Sequence, residues 1–275
     1  MAVAAIGTAI AALLVAPTTL AESVIHWHQT QQSNAKDKAD LLNAVEALKN
    51  DIRGTDAQSF TLAVDQIASD NLDRRIGGII ALEILMTQSP ERENRIIDLL
   101  AAHIRSRTVG TVSNPAAGPP EDLRVALTVL GKRPDPRNHR NVDLSRANLT
   151  GAKLMSMDLV DADLIDTVLT RADLTGTDLA NAKLTRAIGV DMTLTDANLN
   201  GANLRRANMV GAILTGTSLV KAQLDQVNLT GAYLADANLS GANLANANLT
   251  GAILTGADLT GCDLNPCQPN GHDID

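Results

Sequence analysis

The chain has 275 residues, of which 45% are apolar, so a packed core is expected and wholesale disorder is excluded. Its formal net charge is −8 and no basic stripe is present, which excludes direct nucleic-acid binding. Trp27, Phe60 and Tyr233 are the three aromatic residues. Leucine and alanine must therefore build the core, because aromatic side chains supply little of its area.

The first segment of interest is residues 2–21, which carry no ionisable side chain. A helix that crosses a bilayer needs about 20 residues, so this run is long enough. Trp27 follows at the place expected for an aromatic anchor at the membrane interface. The sequence therefore predicts a membrane anchor helix at residues 1–27. Lys36 and Lys38 come after it, and the positive-inside rule then places the rest of the chain in the cytoplasm.

Two other interpretations of this segment stay open. A cleaved signal peptide would end after Ala21, but residues 1–14 carry no Lys or Arg for its basic start. The other is a helix buried in a soluble protein, and Gly7, Pro17 and three threonines lower the hydrophobicity expected of a membrane span. The choice matters because an exported chain cannot meet a cytoplasmic partner.

Residues 28–135 are predicted to form a small helical domain of four or five helices. Apolar residues recur there at helical spacing. The first such stretch contains Leu41, Leu42, Val45, Leu48 and Ile52, and the second contains Ile76, Ile79, Ile80, Leu82, Ile84 and Leu85.

The end of this domain is marked by capping and breaking signals. Ser89 and Pro90 suit the N-cap and first position of a helix predicted to run to Arg107. A Gly- and Pro-containing loop follows, and then a short helix at residues 121–130. Pro134 and Pro136 end the domain, since proline cannot continue a helix.

A five-residue repeat then begins. From residue 144 to residue 264 leucine occupies 23 of the 25 positions spaced by five, which chance does not produce. Alanine mostly lies two residues before each leucine, and Asp or Asn directly before it. On an α-helix a step of five turns about 140° and spreads the leucines around the axis; on a strand it alternates faces. The chain must therefore turn at every repeat.

Four repeats that close a square coil would stack each leucine on the leucine twenty residues later, at the strand spacing of about 4.8 Å. The predicted solenoid covers residues 141–265, has about six coils and is roughly 30 Å long. Residues 266–275 form a C-terminal tail. The helical domain can cover the N-terminal end of the rod, whereas the tail or dimerisation would hide the other edge.

The segments ANLTGAKL, ADLTGTDL, ANLNGANL and ADLTGCDL resemble the pentapeptide repeat family. The middle of the chain, DNLDRRIGGIIALEIL followed by EDLRVALTVLGKR, is similar to the helical region of bacterial membrane-anchored members. This resemblance implies an all-β right-handed quadrilateral β-helix, preceded by a small α-helical domain and an N-terminal transmembrane helix. It also implies a bacterial inner membrane location, with the repeats in the cytoplasm.

One side of the predicted coil carries large apolar residues. Ile213, Tyr233 and Ile253 occupy the slot before leucine on three successive coils, so they should stack on the exterior. Single surface apolar residues need no explanation, but a stacked strip favours a contact surface. We call these three residues the contact ladder, and both a protein partner and a homodimer fit it.

Gly189 interrupts the repeat. It removes the inward leucine within AIGVDMTL, while Met192 fills the next small-residue slot. A kink or bulge is predicted at Gly189, dividing the rod into two straight segments.

No catalytic motif is present, since the sequence lacks a nucleophile elbow, a phosphate loop, an HExxH motif and a dinucleotide fingerprint. Cys262, Cys267 and His272 would give a zinc ion only three ligands. Cys262 also occupies the inward alanine slot, where a buried thiol is the simpler interpretation. No enzyme activity, cofactor or metal is expected.

The sequence thus favours a non-catalytic, membrane-tethered scaffold that binds an unidentified protein. The alternative, implied by the resemblance, is a DNA-mimicking regulator of DNA gyrase or another topoisomerase. A DNA mimic should be acidic along its whole length. The first coils carry seven Asp residues between positions 143 and 178, but between positions 198 and 256 only Asp225 and Asp236 oppose the basic residues Arg205, Arg206 and Lys221.

Overall fold

A computed structural model of the chain describes residues 55–108, 118–132 and 141–264. Its α-helices are α1 (Thr55–Ile67), α2 (Leu72–Gln88), α3 (Glu93–Thr108) and α4 (Glu121–Gly131), with a 3-10 turn at Pro90–Arg92 before α3. Among these helices, none has the length and apolar character needed to cross a bilayer. The predicted anchor at residues 1–27, with Trp27, lies outside the described residues.

The start of α3 differs from the sequence prediction. The helix predicted to begin at Pro90 opens instead with the 3-10 turn, and its regular α-helical part begins at Glu93. The reason is that Ser89 is the C-cap of the preceding helix, since its backbone N–H donates to the Leu85 carbonyl at 3.0 Å. A tight turn is what remains to change the chain direction between the two helices.

The helices share one apolar core, to which each contributes fully buried residues: Phe60, Leu82, Leu100 and Leu130. At the crossing of α1 and α2, Gly78 lets the two backbones touch. A Cβ atom there would lie 2.6 Å from the Ala63 carbonyl oxygen, closer than real Cβ contacts allow. The crossing therefore requires glycine at this position.

A buried ion cluster joins three of the helices around Asp122, which is fully buried at the start of α4. Arg75 of α2 donates from Nε to the Asp122 carboxylate at 2.6 Å, and from Nη1 to two carbonyls of the turn before α2. His103 and Arg107 of α3 each lie 3.7 Å from the same carboxylate oxygen. Burial raises the pKa of Asp122, but the facing His103 and Arg75 side chains outweigh it and hold that pKa well below its usual range.

The repeats form a square coil with one repeat on each side. The residue before each leucine makes a parallel bridge to its counterpart twenty residues later, as Asp143 does to Asp163. Six such bridges follow one side up to Asp263, which gives the predicted six coils. The leucines and the small residues two places before them fill the interior, where Leu144 and Ala147 are fully buried.

The corners explain the preference for Asp and Asn before leucine. The Asp163 carboxylate accepts the backbone N–H of Ile165 at 3.0 Å, and the Asn228 side chain accepts that of Thr230 at 3.1 Å. Short Asx side chains close such turns without help from another coil. The next residue along has a positive φ, 58° at Asp166 for example, so the second position after leucine is where the chain changes direction.

Arg105 of α3 caps the first coil. Its Nη1 donates to the Asp143 backbone carbonyl and lies 3.1 Å from the Asp143 carboxylate. Between coils the matching carbonyl, that of Asp163, accepts the Leu144 N–H at 2.8 Å. Arg105 thus supplies the donor that a preceding coil would have supplied.

Two glycines bring the helical part close to the same end of the rod. A Cβ atom at Gly118 would lie 2.9 Å from the Gly151 carbonyl oxygen, and one at Gly131 would lie 3.0 Å from Met157 Cγ. Together with Arg105, these contacts place α3, α4 and the segment just before α4 against the N-terminal coil.

The backbone ladder continues unchanged past Gly189. Ile188 bridges to Val168 and Asn208 at the usual spacing of twenty, and the Gly189 N–H donates to the Asn208 carbonyl at 2.7 Å. The coil therefore contains no bulge at Gly189, because a bulge would add a residue to one coil. The kink, a bend of the coil axis, stays a prediction.

Candidate protein-contact surface

The structure brings the three residues of the contact ladder into direct register. Ile213 bridges to Tyr233, and Tyr233 to Ile253. Their side chains are 38%, 48% and 42% exposed, respectively. The ladder is therefore a continuous apolar strip along the axis of the last three coils.

The backbone beneath the ladder is fully used within the solenoid. The N–H groups of Ile213, Tyr233 and Ile253 each donate at 2.9 Å to a carbonyl of the preceding coil. The carbonyls of Tyr233 and Ile253 accept leucine N–H groups at 2.7 Å. A partner on this side must therefore bind through side-chain packing, since strand addition needs free backbone groups.

Glycines border the ladder on both sides. On one corner the positive-φ position is glycine in all three coils, and on the other it is glycine in two of three: Gly211, Gly231 and Gly251, then Gly216 and Gly256, with Asp236 between the last two. Among the residues that the structure describes, a Cβ atom at Gly231 or Gly251 would meet nothing within 4 Å. At the other three glycines it would lie close to a carboxylate oxygen of Asp191, Asp196 or Asp236 of the preceding coil. At Gly231 and Gly251 no described side chain rises beside the strip, so a partner can approach Tyr233 and Ile253 closely from that corner.

The ladder positions themselves carry no charge in the last three coils. On the same side of the first coils the ladder positions hold Lys153 and Asp173, so the apolar character is confined to the C-terminal half. Elsewhere on the rod, oppositely charged side chains at stacked corners form ion pairs along the axis. Arg186 Nη2, for example, lies 2.6 Å from the Asp166 carboxylate of the preceding coil. The ladder itself suits an apolar patch on a protein.

A family comparison agrees with this geometry. The family model described as pentapeptide repeats matches residues 138–164, 158–188, 194–231 and 228–265, in eight copies. This chain belongs to the pentapeptide repeat family. The coil of this pentapeptide repeat protein is accordingly the right-handed quadrilateral β-helix of that family. No curated protein matches the chain.

Solved structures of several pentapeptide repeat proteins are similar to this one. Rfr23 from the cyanobacterium Cyanothece 51142 is 32% identical, with 38% of this chain and 61% of that chain covered and a TM-score of 0.26. HetL, involved in heterocyst differentiation regulation in the cyanobacterium Nostoc sp. strain PCC 7120, is 34% identical, with 49% and 67% covered and a TM-score of 0.20. QnrB1, a plasmid-mediated fluoroquinolone resistance protein, is 19% identical, with 49% and 76% covered and a TM-score of 0.24. This chain thus spans less than two thirds of the length of Rfr23.

Cys262 behaves as a member of the repeat. Its Sγ donates to the Leu239 carbonyl at 3.0 Å, as the Thr177 hydroxyl in the same inward slot does to the Leu154 carbonyl at 2.6 Å. Burial raises the pKa of the Cys262 thiol, which disfavours the thiolate that zinc requires. Within 55–108, 118–132 and 141–264 no cluster of His, Cys, Asp and Glu could hold a metal, and Cys267 and His272 lie outside those ranges.

Sequence reasoning found the ladder but missed its borders. The glycines stand at a fixed place, two residues after each leucine, and their enrichment beside the ladder is visible once the residues are grouped by side of the coil. It also missed the cluster around Asp122, because Arg75 lies 47 residues away and no local pattern links the two.

Proposed function

We propose that this pentapeptide repeat protein is a non-catalytic scaffold, tethered to the bacterial inner membrane, whose solenoid binds a protein partner through the contact ladder. Residues 1–27 are the tether, with Trp27 at the membrane interface. Residues 28–135 are a helical domain that joins the tether to the repeats at residues 141–265, and residues 266–275 are the tail. The solenoid faces the cytoplasm.

The observation that carries the binding role is the exposed, flat and uncharged strip made by Ile213, Tyr233 and Ile253. Apolar surface in water costs about 25 cal/mol per Å², so a partner that covers the strip gains that free energy. An aromatic side chain at the centre, as Tyr233 is, is typical of the residues that dominate protein interfaces.

Photo-crosslinking tests the binding role in cells. A photoreactive phenylalanine analogue at position 233 should form a crosslinked product with another protein. The same analogue at Asn228, on the neighbouring side of the same coil, is the matched control. A product of twice the chain mass would show a homodimer on the ladder instead. Equal crosslinking from both positions would count against a contact at the ladder.

Cell fractionation tests the tether. A C-terminally tagged chain should pellet with membranes, resist carbonate extraction and stay protected from protease added outside the inner membrane. A carbonate-soluble chain in the cytosol would disprove the tether, and an exported chain would support the signal peptide.

Regulation of DNA gyrase by DNA mimicry is the second candidate, favoured by stacked carboxylates in the first coils. Asp143 lies over Asp163, and Asp158 over Asp178. Against it, Arg205 pairs with Asp225 at 2.9 Å further along the rod, where a DNA mimic should stay acidic. A supercoiling assay separates the two: inhibition or protection of gyrase by the purified chain would favour mimicry, and no effect would favour the scaffold.

A further inference from the structure

Charge is distributed unevenly around the C-terminal half of the rod. From residue 187 to residue 264 the sequence has three basic residues, namely Arg205, Arg206 and Lys221. All three lie at the two corners of the side that carries Asn203 and Gln223 in the slot before leucine. That side is two repeats away from the contact ladder, so it is the opposite side of the square coil. The basic residues of these coils therefore lie away from the ladder.

The two corners that border the ladder carry carboxylates instead. Asp191 lies at one of them, and Asp196 and Asp236 lie at the other; all three residues are exposed. Among the described residues of these two corners Arg171 is the only basic one, and its Nε lies 3.7 Å from the Asp191 carboxylate. An apolar strip with acidic borders is complementary to an apolar strip with basic borders.

Two of these carboxylates have a fixed position along the rod. A Cβ atom at Gly216 would meet the Asp196 carboxylate, and one at Gly256 would meet that of Asp236. Each carboxylate therefore packs against the glycine backbone of the following coil. Because it is already held in place, an ion pair with a partner loses little side-chain entropy on the rod. Asp196 and Asp236 are two coils apart, which is about 10 Å at the strand spacing.

The spacing of the ladder distinguishes between possible partner backbones. Its three side chains repeat every 4.8 Å or so along the rod axis. An α-helix lying along that axis presents one side chain per turn, about every 5.4 Å, and drifts by only about 1 Å over two steps. An extended segment in the same direction presents a side chain on one face about every 6.7 Å and drifts by about 4 Å. A helix thus keeps contact with all three ladder residues, whereas an extended segment does not.

We propose that the partner binds the contact ladder through an amphipathic α-helix that lies along the rod axis, with an apolar stripe on the ladder and Lys or Arg residues beside Asp196 and Asp236. This inference rests on the proposed function, because it names the partner of the same surface. A separation of about 10 Å corresponds to about seven helical residues, so basic residues seven apart on one flank meet both carboxylates. The open corner at Gly231 and Gly251 leaves room for the other flank.

Designed peptides test this chemistry on the purified full-length chain. A fluorescent peptide of about 18 residues carries a leucine stripe at helical spacing with lysines on both flanks, and a matched peptide has glutamates in place of the lysines. In fluorescence anisotropy the lysine peptide should bind about tenfold or more tighter. A lysine peptide with a central proline cannot form the helix and should lose about tenfold in affinity. Equal affinity of the lysine and glutamate peptides, or of the lysine and proline peptides, would overturn the proposal.

Variants of the rod test where the lysine peptide binds. Asp196→Asn with Asp236→Asn should weaken its binding about fivefold. Asparagine is tolerated at this corner position, since Asn181 occupies the matching position with a φ of 57°. Asp161→Asn with Asp163→Asn removes the same charge beside the opposite side of the coil and should change the affinity by less than about twofold. Equal losses in the two double variants would show attraction by net charge alone and would overturn the proposal.

Crosslinking separates this inference from the proposed function. The photoreactive analogue at position 233 should crosslink to the lysine peptide, and the analogue at Asn228 should not. If the analogue at position 233 captures a protein in cells but the purified chain binds none of the peptides, the ladder keeps its binding role and the helical partner is wrong. If the lysine peptide binds at the ladder but no protein is captured in cells, the proposed function fails and the preference for a basic helix stands.

Discussion

The Met192 side chain occupies the space that a leucine at position 189 would fill. A Cβ atom at Gly189 would lie 2.5 Å from both Met192 Cε and Met192 Sδ. Gly189 stands where the repeat has leucine, and Met192 stands where it mostly has alanine. The two departures from the repeat therefore compensate each other in volume, which explains why the backbone ladder continues unbroken past them.

This compensation predicts strong coupling between the two positions. Gly189→Leu alone should destabilise the solenoid by about 1–3 kcal/mol through overpacking. Met192→Ala alone should cost about 2–5 kcal/mol through the cavity it leaves. The double variant restores the usual pair and should lie close to the natural chain in urea unfolding. Additive losses in the double variant would show that the two side chains do not share one space.

Adjacent glycines in α2 should respond in opposite directions to alanine. Gly78→Ala places a Cβ atom 2.6 Å from the Ala63 carbonyl oxygen, so it should lower the melting temperature. Gly77→Ala is the matched control, because among the described residues its Cβ atom would meet only Gln66 Oε1, at 3.7 Å. It should raise stability by about 1 kcal/mol, since alanine is the better helix former. A loss in both variants would contradict the close crossing of α1 and α2.

Arg105 should stabilise the first coil. Arg105→Met removes hydrogen bonds from a charged donor and should cost about 1.5–3 kcal/mol. Asp143→Asn keeps the backbone carbonyl that Arg105 reaches, and the Asp143 side chain is half exposed, so its effect should be smaller. Hydrogen exchange at residues 142–160 measures both. If protection there is unchanged in Arg105→Met, the capping role is wrong.

The Asp122 cluster predicts a pH dependence with a definite sign. The pKa of Asp122 is depressed in the folded chain, so its contribution is complete above the unfolded value of about 4 and is lost as pH falls through the folded pKa. Asp122→Asn leaves Arg75 without its anionic partner and should cost about 3–5 kcal/mol at pH 7.

Urea unfolding at pH 7 and at pH 3 checks this sign. The difference between Asp122→Asn and the natural chain should be smaller at pH 3. Asp73→Asn, an exposed residue in the first turn of α2, serves as the control and should change stability by less than about 1 kcal/mol at either pH. A difference that grows on acidification would contradict the depressed pKa.

The repeat could be predicted from the sequence because its geometry is local and periodic. Leucine every fifth residue sets the side of the coil, and counting by twenty from Ile213 reaches Tyr233 and Ile253 from the residue order alone. The same counting shows that Gly189 stands in an inward leucine position. It cannot show that the Met192 side chain fills the volume of the missing leucine, because that depends on the conformation of the methionine side chain.

Contacts between residues far apart in the sequence could not be predicted from the repeat spacing. Arg105 reaches the first coil from 38 residues away, and Arg75 reaches Asp122 from 47 residues away. Nothing in the spacing of either arginine marks its partner. The short helix predicted at residues 121–130 is found at Glu121–Gly131. The 3-10 turn before α3 was missed because Ser89, predicted as an N-cap, is the C-cap of the preceding helix.

The role of the contact ladder is tested most directly by replacing Ile213, Tyr233 and Ile253 together with asparagine. Asparagine already occupies the matching slots on the neighbouring side, at Asn208, Asn228 and Asn248, so the coil should stay folded. Changing those three to serine gives the control, since serine occupies the same slot at Ser218. The affinity for the protein captured by crosslinking from position 233 should fall about tenfold or more in the ladder variant and stay unchanged in the control. Equal affinity of the natural chain and the ladder variant would contradict the account.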